Sequence, residues 1–346
     1  MEARHLFIGS YTALMQGNGT GITVLAVGAS GELLDIVGSH IMDSPSFLAA
    51  SAERLFAVSE GAQGRVTSFR RHQEHLTQIS TVATGGAEPC HVEHDVDGRL
   101  LLVANYRSGS LAVIPADENG SLGDARVAAS PEGSGPVPDR QDRPHVHQSL
   151  ASDMAGNRWL VADLGIDRIL EYELASDGMP TLAGSCALPA GAGPRHLAWA
   201  YGTLLVSGEL DSRLHILRRR AAELQHSGSV STVDPASDVE PGAVSQPSHL
   251  VVTRDQRFAY LANRGRDTLA VFDLSALADG GMPELVQETS CGGVWPRHFA
   301  LYAGRIYVAN QGSDTIAVFD TDPASGTIGA RLQTVHTGSP ACLVFA

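Results

Sequence analysis

The sequence predicts an all-β protein, a seven-bladed β-propeller made of four-stranded antiparallel blades. Three observations predict it. A Pro-x-His motif returns at regular intervals, each copy is followed by the same succession of apolar runs, and the first and last segments are each an incomplete unit. These features are typical of a closed ring of repeats. Because seven blades reach this length around one axis, we expect residues 1–346 to form a single domain.

The motif occurs in seven versions, separated by 44 residues (Pro45 to Pro89) to 55 residues (Pro89 to Pro144). Four copies are complete, two keep only the proline and one is offset; in that order they begin at Pro89, Pro194, Pro247 and Pro296, at Pro45 and Pro340, and at Pro144. A heptad or a leucine-rich unit is far shorter, so the period indicates propeller blades.

Each motif opens a pair of predicted strands. An alternating apolar run is followed by a polar turn and by a second run that ends in a small and a polar residue, as at 101–105 and 259–263. Strands joined by a tight turn are antiparallel, so the motif and the terminal polar residue lie on the same face of every blade. A third and a weaker fourth run, such as 268–272 and 284–288, complete four strands.

The two ends of the chain complement each other. The first segment, His5 to Ser44, contains three strand-like runs without a leading motif, and the last, Pro340 to Ala346, contains one. We therefore expect the C-terminal strand to become the inner strand of the N-terminal blade. That pairing would close the ring and leave no exposed inner edge.

Two polar inserts interrupt the pattern, at 130–143 and at 232–246. The first is rich in glycine and proline and is not a regular strand. Each precedes an inner strand, which places it on the face that carries the motifs. We expect such an insert to form a wall or a lid over the axis.

The composition excludes several functions. The formal net charge of −14 disfavours binding of nucleic acid or of an anionic membrane. The chain has no lysine, since all 24 of its basic residues are arginine, and this excludes a Schiff base, a Walker lysine and a Ser-Lys mechanism. An anionic ligand would therefore be held by arginine.

Cysteine usage and apolar runs bear on the compartment. No apolar run approaches the ~20 residues of a membrane span, and the N-terminus lacks the apolar core of a signal peptide. Cys90, Cys186, Cys291 and Cys342 lie far apart without metal-type spacing. We expect a reducing, cytoplasmic environment with neither a disulfide framework nor a zinc site.

Residues that recur at the same position in several blades are expected to be structural. Histidines of the complete motifs should anchor neighbouring blades, and asparagines that end second strands should hold the following turn. These residues are His91, His196, His249 and His298, and Asn105, Asn263 and Asn310.

Function is expected where a blade departs from the pattern. Glu209 stands where three other blades have asparagine, Arg195 lies inside its motif, and Arg264 follows Asn263. His145 and His147 are two residues apart on a predicted strand and should point to the same side.

These groups permit several interpretations. A carboxylate, two guanidinium groups and a histidine in one axial pocket would supply a proton-transfer pair and an anion-stabilising pair. A set of salt bridges between blades fits the spacing equally well. Calcium bound by the polar residues that end second strands, or a transition metal bound with the histidines, is a weaker alternative. Those polar residues are Glu60, Asn105, Asp163, Glu209, Asn263 and Asn310. We expect no cofactor and no required metal.

At these positions the chain resembles the lactonases of the seven-bladed propeller type, a family that includes 6-phosphogluconolactonases and carboxy-cis,cis-muconate cyclases. The resemblance covers essentially the whole chain and is carried by the stretches 7–12, 103–110, 139–148, 193–197, 207–212, 260–265 and 308–312. One departure is Gly208, where the family often has asparagine before the glutamate.

The resemblance implies a catalytic set of His147 (or His145), Glu209, Arg195 and Arg264. We add His145, His196, His249, His298 and Arg143 as predicted substrate contacts. The implied activity is cytoplasmic hydrolysis of a sugar-acid lactone, above all 6-phosphogluconolactone of the pentose phosphate pathway. Glu209 or His147 would activate water, and the arginines would hold the oxyanion and the anionic group of the substrate.

Two alternatives remain open at this stage. The same four groups could form a lactone from an unsaturated dicarboxylate, as in the cyclase relatives. A non-catalytic propeller could instead bind a partner on its top face. The expected ligand is a small anionic lactone, without nucleic acid or membrane, and the sequence predicts no oligomeric state.

Overall fold

The computed structural model describes residues 4–51, 53–95, 99–152, 157–221, 223–236 and 244–346. These residues form 28 strands and three short 3-10 helices, and the strands make seven four-stranded antiparallel sheets. None of the described helices is long and apolar enough to cross a membrane. The predicted seven-bladed all-β propeller is confirmed.

The blades follow the chain in order. Blade 1 contains β1 (Arg4–Ser10), β2 (Gly21–Val27), β3 (Leu33–Ile41) and the last strand, β28 (Pro340–Phe345). Blade 2 contains β4 (Leu48–Ala50), β5 (Arg54–Ser59), β6 (Arg65–His72) and β7 (His75–Ala83). Blade 3 contains β8 (Pro89–His94), β9 (Leu100–Asn105), β10 (Ser110–Pro115) and β11 (Arg126–Ala129). Blade 4 contains β12 (Val146–Ala151), β13 (Arg158–Asp163), β14 (Arg168–Leu174) and β15 (Pro180–Ala187).

The remaining blades repeat this arrangement. Blade 5 contains β16 (Pro194–Ala200), β17 (Thr203–Gly208), β18 (Arg213–Arg220) and β19 (Glu223–Ser231). Blade 6 contains β20 (Gln246–Val252), β21 (Phe258–Arg264), β22 (Thr268–Asp273) and β23 (Glu284–Ser290). Blade 7 contains β24 (Pro296–Tyr302), β25 (Arg305–Asn310), β26 (Thr315–Thr321) and β27 (Ile328–His336). The 3-10 helices span Ala13–Met15, Ser275–Asp279 and Gln311–Ser313.

The hydrophobic core lies between the blades. Each of seven apolar clusters is shared by two neighbouring blades, so every sheet packs on both of its faces. Every residue of the second strand β21 is buried, whereas the outer strand β3 is largely exposed. Burial of apolar surface is the main driving force of folding, so contacts between blades hold the ring together.

The ring closes as predicted. β28 pairs antiparallel with β1, with Phe7 opposite Val344 and Ile8 opposite Leu343. The backbone N–H of Ala346 donates to His5 O at 3.1 Å, which continues the pairing to the end of the chain. Leu343 is buried in the cluster shared by blades 1 and 7.

The repeated motif has a structural meaning that the sequence did not reveal. In blade 3, Pro89 lies opposite Asn105 but His91 lies opposite Ala104, so one extra residue is inserted in the inner strand. The inner strands of blades 4, 5, 6 and 7 show a register shift at the corresponding place. This irregularity is a β-bulge, which bends a strand and redirects its side chains.

The motif histidines contact one another across blades, as predicted. The His249 and His298 rings stack with centroids 3.7 Å apart, and the Nδ1 atoms of His196 and His249 are 2.9 Å apart. The backbone N–H of Leu343 donates to His298 Nδ1 at 3.3 Å, which joins blade 7 to blade 1. Because they occupy equivalent inner-strand positions of blades 3, 5, 6 and 7, these histidines lie around the axis, and we name them the axial histidines.

The asparagines that end second strands hold the next turn in two blades. Asn105 Nδ2 donates to Ser110 Oγ, and Asn263 Nδ2 donates to Thr268 Oγ1, each at 3.2 Å. Both bonds span the turn to the third strand, so the predicted structural role is confirmed there.

Candidate active site

A cavity of about 330 Å³ lies at the end of the axial channel where the motifs begin. All seven blades contribute to it, with four arginines and three glutamates among the lining residues. They are Tyr11, Met15, Glu60, Glu88, Cys90, Tyr106, Arg140, His147, Arg195, Glu209, Arg264, Arg297 and Gln311. This volume suits one small ligand.

Glu209 is the centre of one side of the cavity. Its Oε2 lies 2.8 Å from Arg195 Nε and 2.7 Å from Arg264 Nη2, and its Oε1 contacts Arg140 Nη2. We name these four residues the Glu209 cluster. The structure thus brings together Glu209, Arg195 and Arg264, which come from blades 5 and 6. Because the contacts join separate blades, they also form the inter-blade salt bridges of the alternative interpretation.

All charges of this cluster persist at neutral pH. Burial raises the pKa of Glu209, but Arg264, Arg195 and Arg140 together lower it well below the usual carboxyl value. Burial, and then the charge of Arg264, lowers the pKa of Arg195 to about 9, which keeps this guanidinium protonated at neutral pH. Three guanidinium groups and one carboxylate give the cluster a net positive charge in a protein of net charge −14.

The arginines of the Glu209 cluster can still donate hydrogen bonds to a ligand. Arg195 Nη1 is buried and has no hydrogen-bond partner among the described residues. The contacts of Arg195 Nε and Arg264 Nη2 with Glu209 are ion pairs by distance but lack hydrogen-bond geometry. Buried polar groups in proteins are normally hydrogen-bonded, so these donors suit an anionic or carbonyl oxygen of a ligand.

The insert at 130–143 supplies a wall of the cavity, as predicted, through Arg140. Buried Gln141 anchors it, because its Nε2 donates to Asp167 Oδ1 at 2.8 Å and to Leu164 O at 2.9 Å. The predicted contact Arg143 is wrong. Its side chain is 56% exposed, pairs with Asp142 and does not line the cavity. Its neighbour Arg140 occupies the expected place, because the buried Gln141 orients the insert.

The second insert, at 232–246, is described only in part. Residues 237–243 lie outside the described residues, so the predicted wall cannot be traced there. Its last residue contacts the site, since Arg264 Nε donates to Gln246 O at 3.2 Å. The Arg264 guanidinium also lies over the Trp295 ring, 5.4 Å from its centroid.

Of the two neighbouring histidines, only His147 lines the cavity. The His145 ring stacks on Tyr106, and its Nε2 lies 2.9 Å from Asp142 Oδ1. Both rings contact Tyr106, but they do not share the cavity, because His145 precedes β12 and the register shifts between Val146 and Gln148. Burial, and then Arg195, lowers the pKa of His147 well below its usual value, so its imidazole is neutral.

His196, His249 and His298, which were predicted to contact substrate, do not line the cavity. The middle residue of a complete motif faces the cavity in three blades, and those residues are Cys90, Arg195 and Arg297. The histidine that follows is one of the axial histidines. The bulge at each complete motif separates the two directions.

Two lining residues, Tyr11 and Arg297, were not predicted as functional groups from the sequence, and Glu60 was considered only as a possible calcium ligand. Glu60 Oε2 accepts a hydrogen bond from Tyr11 OH at 2.8 Å, and the Arg297 guanidinium lies over the Tyr11 ring, 4.7 Å from its centroid. We name Glu60, Tyr11 and Arg297 the Glu60 cluster. A signal existed, since Pro296-Arg297-His298 is a second copy of Pro-Arg-His.

The metal alternative finds no site in the part of the chain that the structure describes. No group of three or more His, Cys, Asp or Glu side chains is arranged there to hold an ion. Asp163 Oδ1 accepts from the backbone N–H groups of His145 and Gly165 instead. All four cysteines are unpaired and buried.

The fold and cavity together define a propeller with a cationic axial pocket sized for one small anionic molecule. The sequence model of the family described as "Lactonase, 7-bladed beta-propeller" matches residues 5–345. This chain therefore belongs to the family of seven-bladed β-propeller lactonases.

Individual relatives agree with this assignment. The chain is 32% identical over 321 residues to the 6-phosphogluconolactonase of Bacillus subtilis, covering 88% of both chains. It is 28% identical to the 6-phosphogluconolactonase of Formosa agariphila, covering 86% of both. The solved structure of a Pseudomonas aeruginosa periplasmic gluconolactonase superposes with a TM-score of 0.89, at 30% identity and 99% coverage of both chains.

Proposed function

We propose that this protein hydrolyses the lactone of a sugar acid, with 6-phosphogluconolactone as the favoured substrate. The observation that carries the proposal is the Glu209 cluster, which places an unpartnered guanidinium donor, Arg195 Nη1, in a cavity of about 330 Å³. Family membership and the names of the two bacterial relatives support the choice of reaction.

The arginines of the cavity can bind both the oxyanion that forms during the reaction and the phosphate or carboxylate group of such a substrate. Arg195 Nη1 is directed to no protein acceptor among the described residues, so it can stabilise the oxyanion that forms at the lactone carbonyl. Arg297 makes no ion pair among the described residues and can hold a phosphate or carboxylate group. Glu209 holds Arg195 and Arg264 in place, and its arginine contacts make it a poor acceptor of a proton.

A direct assay measures proton release from freshly prepared δ-6-phosphogluconolactone, corrected for spontaneous hydrolysis. We expect Arg195→Ala and Arg264→Ala each to lower kcat/KM by about 10²–10³, because each guanidinium supports the transition state. Glu209→Gln should also be strongly impaired, since the arginines lose their counterion. Rates in these variants equal to the wild-type rate would exclude the assignment.

Ligand-dependent melting distinguishes the alternatives at low cost. Stabilisation by 6-phosphogluconate supports the proposed substrate, whereas stabilisation by muconolactone supports the cyclase reaction. If neither compound raises the melting temperature, a non-catalytic propeller that binds a partner is favoured. A cytoplasmic location stays part of the proposal and calls for fractionation, because one structural relative is periplasmic.

A further inference from the structure

A second buried carboxylate, Glu60, lies across the cavity from Glu209. The two residues directly follow the second strands of their blades, β5 and β17. Blades 2 and 5 are three steps apart in a ring of seven, so the carboxylates line the cavity from nearly opposite sides. A ligand in the cavity therefore lies between them.

The two carboxylates differ in their partners. Both oxygens of Glu209 contact arginines. Glu60 makes no ion pair among the described residues; Tyr11 OH donates to its Oε2, and the buried Ser46 hydroxyl lies nearby without a directed hydrogen bond. Glu60 can therefore accept a proton without breaking an ion pair.

The surroundings of Glu60 make its carboxylate a better proton acceptor than an exposed glutamate. Burial raises its pKa above the usual carboxyl value, against the opposing charge of Arg297 and the hydrogen bond from Tyr11. The charged or titratable groups that face it are Tyr11, Arg297, Glu88 and Cys90. A general base works best when its pKa approaches the working pH.

We propose that Glu60 is the catalytic base that takes a proton from the attacking water, with Tyr11 as its positioning residue. The inference rests on lactone hydrolysis as the reaction. The water oxygen bonds to the lactone carbonyl carbon as its proton moves to Glu60. Collapse of the tetrahedral intermediate then breaks the bond to the ring oxygen, and Glu60 returns the proton to that oxygen. One water is added, the hydroxy acid forms, and Glu60 is regenerated.

The test is the pH dependence of kcat/KM for δ-6-phosphogluconolactone, corrected for spontaneous hydrolysis at each pH. Wild-type activity should fall at acid pH as Glu60 becomes protonated. Glu60→Gln should lose about 10²–10⁴ in kcat/KM and lose this acidic limb. Glu93→Gln is a matched control, because Glu93 is a partly buried carboxyl whose pKa burial also raises, yet it does not line the cavity. It should retain the wild-type rate and limb.

Tyr11→Phe separates positioning from a structural role. Loss of the hydrogen bond to Glu60 removes a contact that favours the ionised form, so the acidic limb should move about one pH unit higher. The plateau rate should change much less than in Glu60→Gln. A structural effect alone would lower the rate at every pH and leave the limb in place.

Each kinetic result leads to a single conclusion about the proposed function or about Glu60. If the wild-type protein does not exceed spontaneous hydrolysis, the proposed function and the role of Glu60 fall together. If it is active but Glu60→Gln keeps the rate and the limb, only the role of Glu60 is overturned. Loss of the limb in Glu88→Gln, with the limb kept in Glu60→Gln, would assign the base to Glu88. Should Glu60→Gln fail to fold, an unmoved limb in Tyr11→Phe overturns the proposal.

Discussion

Glu209 is a buried carboxylate that three arginines keep ionised. Such a group is costly to bury, and the arginines are equally costly without it, because desolvation penalises every charge. The cluster therefore has two effects at once. It fixes the guanidinium groups in the cavity, and it makes each partner depend on the others for its burial.

The first prediction concerns stability at this residue. Glu209→Gln leaves Arg195 and Arg264, both nearly inaccessible to solvent, without their counterion. We expect the free energy of unfolding to fall by about 3–5 kcal/mol, as measured by urea denaturation. The control Glu284→Gln removes an exposed carboxylate of β23 and should change stability by less than about 0.5 kcal/mol. Equal stability of both variants would mean that solvent already compensates the arginines.

At the scale of elements, the insert at 130–143 is held by one buried amide. Gln141→Ala removes three side-chain hydrogen bonds, to Leu164, Asp167 and Val137, and should release Arg140 from Glu209. We expect a loss of about 1–3 kcal/mol in stability together with a higher KM for the lactone. Steady-state kinetics and limited proteolysis of the insert measure both effects.

The control for the insert is Glu132→Gln, which changes an exposed residue of the same segment. It should behave as the wild type. If Gln141→Ala also kept the wild-type KM and resistance to protease, the insert would be held by contacts other than this amide.

The closing strand gives the third prediction. Deletion of residues 343–346 removes the partners of Phe7 and Ile8 and exposes the inner edge of blade 1. We expect the truncated protein to be insoluble or to melt at a much lower temperature. Differential scanning calorimetry of the soluble fraction measures the effect. A truncated protein of unchanged stability would contradict closure by this pairing.

For the whole molecule, the axial histidines together with His147 predict acid sensitivity. Burial lowers the pKa of five histidines from different blades, to about 3 for His91 and His298. The others are His147, His196 and His249. The unfolded chain binds protons at these sites below a pH of about 6.5 and the folded ring does not, so stability is full above that pH and falls as the pH drops.

The expected loss is up to about 1.4 kcal/mol per pH unit for each histidine, between a pH of about 6.5 and the folded pKa. Urea unfolding across this range measures how the free energy of unfolding changes with pH. His91→Gln removes one titrating histidine and should lower that slope by up to about 1.4 kcal/mol per pH unit. An unchanged slope would show that His91 does not contribute.

A single cooperative unfolding transition is expected if residues 1–346 form one domain, which remains a prediction.

The sequence by itself determined the ring. The repeated motif, the paired apolar runs and the complementary ends of the chain encode local pairing, and local pairing at a regular period leaves one architecture. It also singled out Glu209, Arg195 and Arg264, because a residue that departs from a repeat is visible without coordinates.

The tertiary structure alone decided which side chains share the cavity. A bulge at the complete motifs places the middle residue of three of them in the cavity and leaves the histidine outside it, and no strand periodicity predicts such a bulge. The fold of the insert selected Arg140 over Arg143. Contacts between neighbouring blades join residues from blades 7, 1 and 2 in the Glu60 cluster. Such contacts depend on side-chain direction in three dimensions, which a repeat pattern along the chain does not specify.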